Sequence, residues 1–327
     1  MAPRPDSCRT STSSASARGI GIVILLLHFV AETAWAQAWT PSKGEGTLGI
    51  TYQNYYFTGH LDPEGQDDRN GAAHAKAVLT EFEYGVTDSL ALSVSLPFIA
   101  SKYTGSPAGS AFGPLVLPVG PLDDGRYHGA FQDWRFELRY RTVSTRAVSL
   151  TPFVALAVPS HRYETSGEAV PGKHRRETLV GVNGGVPFEA FLRGAYIHAR
   201  YSYAVVQRVR GARLNRSNVD IEGGAAIIPR VTLRGVSAWH IAHDHGSIAF
   251  EDALHDPALW RIHDREVGAS FVNAGGGVTL SLTHALDLNV LYIATVAGSA
   301  GAHAATAISF GISWGFGGGY APIFGTR

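Results

Sequence analysis

Between Asp133 and Tyr140, charged and apolar residues change places at every step. Asp133, Arg135, Glu137 and Arg139 share one parity. Trp134, Phe136, Leu138 and Tyr140 share the other, and Ala130 is expected to join them. Successive side chains of a β-strand point to opposite faces, so this stretch reads as a strand with a file of charges on one side and an apolar surface on the other. Such a file is hard to bury in a sandwich core, because each charge would lose its hydration. A wall with hydrocarbon on one side and a wet interior on the other suits both faces.

The same period of two recurs along the chain from Gly46. Leu48, Ile50, Tyr52 and Tyr56 alternate with Thr47, Gly49, Thr51 and Gln53, and Leu90, Leu92, Val94, Leu96 and Phe98 with Ala91, Ser93 and Ser95. Ile197, Tyr201, Tyr203 and Val205 oppose His198, Arg200 and Ser202, while Val219 and Ile221 oppose Asn218, Asp220 and Glu222. Leu233, Trp239 and Ile241 oppose Arg234 and His240. Leu286, Leu288, Val290 and Tyr292 oppose Asp287 and Asn289. The last run sets Ile308, Phe310, Ile312, Trp314 and Phe316 against Ser309, Gly311, Ser313 and Gly315. Weaker strands are expected near 76–84, 148–158, 177–184 and 270–280. The pattern predicts an all-β fold: a transmembrane, antiparallel, up-and-down β-barrel of about 12 strands.

Connections alternate in length as such a barrel requires. Short ones are expected near Gly85–Ser89, Arg141–Arg146, Gly185–Arg193, Pro229–Arg230 and Ser281–Ala285, and longer ones near 58–73, 99–127, 159–176, 207–216, 243–269 and 298–303. Short turns belong to the periplasmic side and long loops to the outside. Tyr52, Tyr55, Tyr56, Tyr140, Tyr201, Tyr203 and Trp239 are expected at headgroup level, where an amphipathic ring has a dry body and a wet tip.

The first 36 residues read as a cleaved signal peptide, leaving 37–327 as the barrel. Arg4, Arg9 and Arg18 precede the apolar run Gly19–Val30, and Ala34-Trp35-Ala36 supplies a small-x-small cut site. The one cysteine, Cys8, lies inside this segment, so the mature chain is expected to hold no disulfide and no thiolate metal site. Lys+Arg and Asp+Glu are 27 each, and this balance gives no footprint for nucleic acid.

Parity assigns Glu81, Glu83, Asp133, Arg135, Glu137, Arg139, His198, Arg200, Asp220, Glu222, Arg234 and His240 to the interior, as lumen-lining residues. A hairpin loop centred near Gly211 would place Arg200 opposite Glu222, and the Pro229-Arg230 turn would bring Arg234 diagonal to Glu222. An Arg200–Glu222–Arg234 cluster is therefore expected. These charges either line a pore or knit a narrow barrel shut. The loop stretch PLVLPVGPL at 114–122 is expected to pack on a neighbouring loop, with solute capture or plugging as the alternatives. The histidines at 240, 243, 245, 255 and 263, with Asp244, Asp256 and Asp264, lack a third ligand at a diagnostic spacing, so no metal site and no cofactor are expected.

There is no phosphate loop, no GxSxG placed at a strand-to-helix elbow and no HExxH, and no catalytic residue is assigned. The outward faces offer no persuasive Ser/His pair for a lipid hydrolase. Ser309-x-Gly311-x-x-Trp314-x-Phe316 looks like the strand by which the barrel-assembly machinery recognises its clients, though Gly317 to Arg327 follow it.

GEGTLGITYQNYYFTGH at 44–60, EYGVTDSLALSVSLPF at 83–98, YHGAFQDWRFELRY at 127–140 and FGISWGF at 310–316 carry a further likeness. In these segments the chain resembles the outer-membrane family named for meta-pathway phenol degradation. The resemblance covers most of the mature chain and implies a barrel with a transport-like role in the bacterial outer membrane. The expected partners are outer-membrane lipid and a small solute, aromatic or otherwise hydrophobic. Closed structural or surface-recognition barrels, an outer-membrane lipid hydrolase and a soluble secreted β-sandwich are the competing readings.

Overall fold

The computed structural model describes residues 38–61, 67–68, 72–105, 120–188, 192, 194–243, 265, 268–299 and 303–318. The expected signal peptide, most of the apolar stretch at 114–122, and His245, His255, His263, Asp244, Asp256 and Asp264 lie outside these residues.

Twelve long strands form one closed sheet. They are β1 (Gly46–Leu61), β2 (Ala72–Gly85), β3 (Leu90–Thr104), β4 (Trp134–Tyr140), β5 (Ser149–Val158) and β6 (Glu177–Pro187). The second half comprises β7 (Tyr196–Val206), β8 (Arg216–Ile228), β9 (Val231–Ala242), β10 (Ser270–Ser281), β11 (Leu286–Ser299) and β12 (His303–Phe316). Each strand pairs antiparallel with the next. The ring closes where β12 returns to β1, in a seam running from Gly46–Phe316 to His60–His303. Both ends of the barrel sequence therefore lie on the side of the short turns.

Those turns share a local cause. The sequences Thr87-Asp88-Ser89, Thr145-Arg146-Ala147 and Thr283-His284-Ala285 each begin with a threonine. Its hydroxyl accepts a backbone N–H from two or three residues on: Leu90 at 3.0 Å, Val148 at 3.0 Å and Ala285 at 3.1 Å. A short side chain that bonds its own backbone stabilises a reversal. The Pro229-Arg230 turn works differently. Proline presets its own φ, and Arg230 takes the left-handed conformation at φ 72° that the second corner of such a turn demands.

The outer surface is an apolar belt. Ile312, Val180 and Leu156 are exposed by 52%, 58% and 49%, although a water-soluble fold would cover such residues. Exposed rings edge the belt at both ends: Tyr84, Tyr140 and Trp314 near the short turns, and Tyr56, Phe131, Tyr203 and Trp239 near the long loops. A closed cylinder with an apolar outside flanked by aromatic girdles is the form in which strands cross a membrane. Among the described residues, no helix is long and apolar enough to do so.

Two expectations about faces are corrected. Tyr55 is not at the lipid surface: it is 2% exposed, points inward and donates a hydrogen bond to Gln53 at 2.6 Å. Its odd number puts it with Gln53 and Phe57, opposite in parity to Tyr52 and Tyr56. Ala130 does not share a face with Trp134. The short strand His128–Phe131 pairs Phe98 with Phe131, whereas β4 pairs Ser95 with Arg135, so the register slips by one residue between them. The slip falls at Gln132-Asp133, where Gln132 donates its N–H to Pro97, and it exchanges inside for outside.

Candidate functional site: the barrel interior

The interior is two-sided. Along β4 to β9 the inward positions carry charge. Arg200 on β7 reaches past β6 and β5 to Glu137 on β4, with nitrogen–oxygen distances of 3.1 and 2.6 Å, and donates to Asn183 at 3.2 Å. It can span this distance because the intervening wall is low and flat: its guanidinium lies 3.7 Å above the Phe153 ring centroid. That ring in turn occupies space left by Gly181, where an added Cβ would fall 2.6 Å from Phe153 Cζ. Arg135 also pairs with Glu137, at 3.0 Å, and Arg139 pairs with Glu83. The result is a ladder of alternating sign from β2 to β7. In low dielectric, a buried carboxylate tolerates its charge only with such partners.

A second cluster lies nearer the short turns. Arg234 grips Glu222 with two hydrogen bonds, at 3.0 and 2.6 Å, and the Tyr196 hydroxyl donates to the same carboxylate. The expected three-residue cluster is thus half formed, because Arg200 belongs to the other network. Arg200 sits opposite Asp220, and Glu222 opposite His198. The loop between β7 and β8 turns at Arg210-Gly211, both with positive φ, inside a Val209–Ala212 bridge. The turn centres between Arg210 and Gly211 rather than on Gly211, and the stretch 205–208 before the bridge is one residue longer than 213–215 after it; each moves the register by one place, two in all. A two-place shift keeps every side chain on its face but changes its partner.

The other expected lumen residues are placed as follows. Glu81 is half-buried opposite Gly49. Asp133 stands apart from the ladder, accepting the Tyr163 hydroxyl at 2.6 Å and the Arg175 N–H at 3.2 Å. His198 is almost wholly buried. Asp220 is half-buried, and the His240 ring stacks on Phe271 with centroids 4.7 Å apart.

The opposite side of the interior, from β10 round to β3, is mainly apolar toward the long loops and polar toward the short turns, where Thr51, Asp287, Asn289, Ser309 and Ser313 are buried. Tyr55, Phe57, Ala75, Ile99, Phe271 and Ala307 belong to one buried cluster. Val170 joins it from the connection between β5 and β6, and Leu122 packs against it. That connection folds into the barrel mouth. The Asp123 carboxylate accepts the N–H groups of Gly120, Glu168 and Ala169, at 2.8–3.1 Å, and Ser101 donates its hydroxyl to the Ala169 carbonyl at 2.6 Å. Burial pushes the Asp123 carboxyl above its ordinary range, while these three N–H groups pull it back. At the other end of the barrel, Ser149 and Thr151 donate to the Ala38 carbonyl, at 2.6 and 2.8 Å, so residues 38–40 lie inside it.

Between these two ends lies a cavity of about 220 Å³, bounded by Arg216, Arg234, Tyr55, Phe271 and Ile293 among others. Sequence reasoning missed Glu177, Arg216, Lys173 and Arg175, all buried here. Arg216 had a signal, since it shares parity with Asn218, Asp220 and Glu222. Arg175 had none, because nothing in a loop sequence says that the loop turns inward. Reasoning also missed an outward Ser/His pair: Ser217 Oγ lies 2.8 Å from His243 Nε2 at the outer rim. Ser217 is 6% exposed and also touches the Tyr201 hydroxyl at 3.2 Å. Among the described residues no group orients the second ring nitrogen of His243, so the pair lacks the third member of a hydrolytic triad. Among the described residues there is also no cluster of metal ligands.

No family model matches the chain, and no curated protein does. Among solved structures it is similar to the COG4313 outer membrane channel from Pseudomonas putida F1, with a TM-score of 0.63 and 13% identity, over 85% of this chain and 98% of that one. It is less similar to the NanC porin, with a TM-score of 0.46 and 10% identity, over 82% of this chain and 98% of that one. The first likeness establishes the fold: a closed outer-membrane-type β-barrel.

Proposed function

We propose that this protein is a bacterial outer-membrane channel for passive uptake of small solutes, aromatic or otherwise hydrophobic compounds among them. The observation that carries this reading is the pairing of an apolar, ring-edged outer belt with an interior cavity of about 220 Å³ that offers both charged and apolar walls. The COG4313 channel named above supports it through the shared fold, and the sequence resemblance to the meta-pathway phenol-degradation family supports the aromatic preference. The charges of β4 to β9 then act as lumen lining. The last strand, through Ser309, Gly311, Trp314 and Phe316, is read as the segment that the assembly machinery recognises. Reconstitution in planar bilayers tests the proposal: discrete current steps are expected, altered in size by Arg200→Ala.

A second reading is favoured by one observation. Arg139, His198, Asn183 and Glu222 are each at most 2% exposed, which is the packing of a barrel knitted shut. It expects Arg200→Ala to lower thermal stability and leave the current, or its absence, unchanged.

A further inference from the structure

Where the inward connection meets β6 and β8, four cations gather around two carboxylates among the described residues. Arg216 makes a two-pronged ion pair with Glu177, and Arg265 donates to the carbonyls of Lys173 and His174, at 3.0 and 3.2 Å. Arg175 and Lys173 are 3% and 5% exposed, and Asp133 is the second carboxylate. Burial lowers Arg175 to about 10; Glu177 pulls it up, while Arg216 and Arg265 push it down, so the guanidinium groups sense one another. The Nε of Arg216 and the Nε of Arg175 are both buried, and among the described residues neither has an acceptor. A buried guanidinium N–H without an acceptor forfeits a charge-assisted hydrogen bond.

The strand register places an aromatic stack beside these donors. Asn218 on β8, His240 on β9 and Phe271 on β10 stand directly opposite one another in turn. Arg216 is two residues from Asn218 on the same face and hence diagonal to His240. Such neighbours lie about 7–8 Å apart, within reach of long side chains. The rings of His240 and Phe271 are nearly parallel, 7° apart, and both line the cavity with Tyr55, Lys173 and Arg216. An apolar cavity of about 150 Å³ already holds benzene. The 220 Å³ here accommodates one monocyclic ring with a small substituent.

We infer that this cavity is a binding site for monoaromatic carboxylates, with the ring against the His240–Phe271 stack and the carboxylate on Arg216, in the field of Lys173 and Arg175. The inference rests on the channel reading only for its biological purpose, since binding is measurable without transport. The full-length protein in detergent micelles is titrated calorimetrically with benzoate, benzyl alcohol and acetate. Benzoate is expected to bind saturably and about tenfold or more tighter than either control, because only benzoate offers both a ring and an anion. Phe271→Ala is expected to weaken benzoate about tenfold. The double variant Glu177→Gln/Arg216→Gln removes the ion pair as a unit and should bring benzoate down to the level of benzyl alcohol. Should that variant fail to fold, Arg175→Gln, which breaks none of the ion pairs described above, should weaken benzoate and leave benzyl alcohol unchanged. Equal binding of benzoate and benzyl alcohol, or benzoate binding indifferent to these changes, overturns the site. A protein that binds benzoate but passes no current keeps the site and overturns the channel. One that conducts without saturable benzoate binding overturns the site alone.

Discussion

The two halves of the barrel wall present the same surface to lipid and opposite surfaces to the interior. Leu138 on β4 and Ile312 on β12 are exposed by 43% and 52% on the outside. Behind β4 stand Glu137 and Arg139, whereas behind β12 stand Ala305, Ala307, Ser309 and Ser313, small and uncharged. The outside is set by one solvent, hydrocarbon, which accepts any apolar side chain. The inside is set by whatever faces it, so each half can be filled by its own rule: paired charge on one side, small and aromatic residues on the other.

This contrast can be broken most severely at Glu137. Glu137→Ala removes the buried carboxylate that Arg200 and Arg135 share. Thermal or urea unfolding in micelles should show a loss of about 3–5 kcal/mol, the usual consequence of leaving a buried charge uncompensated. The paired change Glu137→Leu/Arg200→Met should recover most of that loss. The claim that the outsides are alike is tested by Leu138→Arg and Ile312→Arg. Each should cost about 2–4 kcal/mol if both side chains meet mid-membrane hydrocarbon. A large disparity between them would mean that one half of the wall is not in lipid.

On the apolar side, Leu79 is 1% exposed, and Leu79→Ala should destabilise by about 2 kcal/mol, at the low end for buried leucines because water can enter the space. It should leave the Arg200–Glu137 network intact, readable as unchanged additivity with Arg200→Ala. The smallest effect is expected at the turn between β8 and β9. Arg230→Gly relieves a left-handed backbone and should stabilise by up to about 1 kcal/mol, with no change inside the barrel.

Most of the fold was legible in the sequence because period two is a direct image of a two-faced strand. The threonine turns could be read for the same reason, since their cause is local. The interior partners were less legible. Parity assigns a face, but a partner depends on register, and register depends on loop residues such as Arg210 and Gly211, whose conformation the strand pattern does not reveal. A single slip at Gln132-Asp133 was enough to misplace Ala130. Arg175 and Lys173 were invisible because a loop that turns inward and one that stays outside are composed alike; what distinguishes them is the contacts that pin it, from Asp123, Asp133, Ser101 and Arg265.

The seam between β1 and β12 has a consequence for biogenesis. It joins the first strand made to the last, so until β12 exists the growing sheet has two raw borders, each a row of backbone groups seeking partners. In hydrocarbon such borders are intolerable. An incomplete chain therefore has no stable home in the bilayer, and the barrel can close only once its last strand is present.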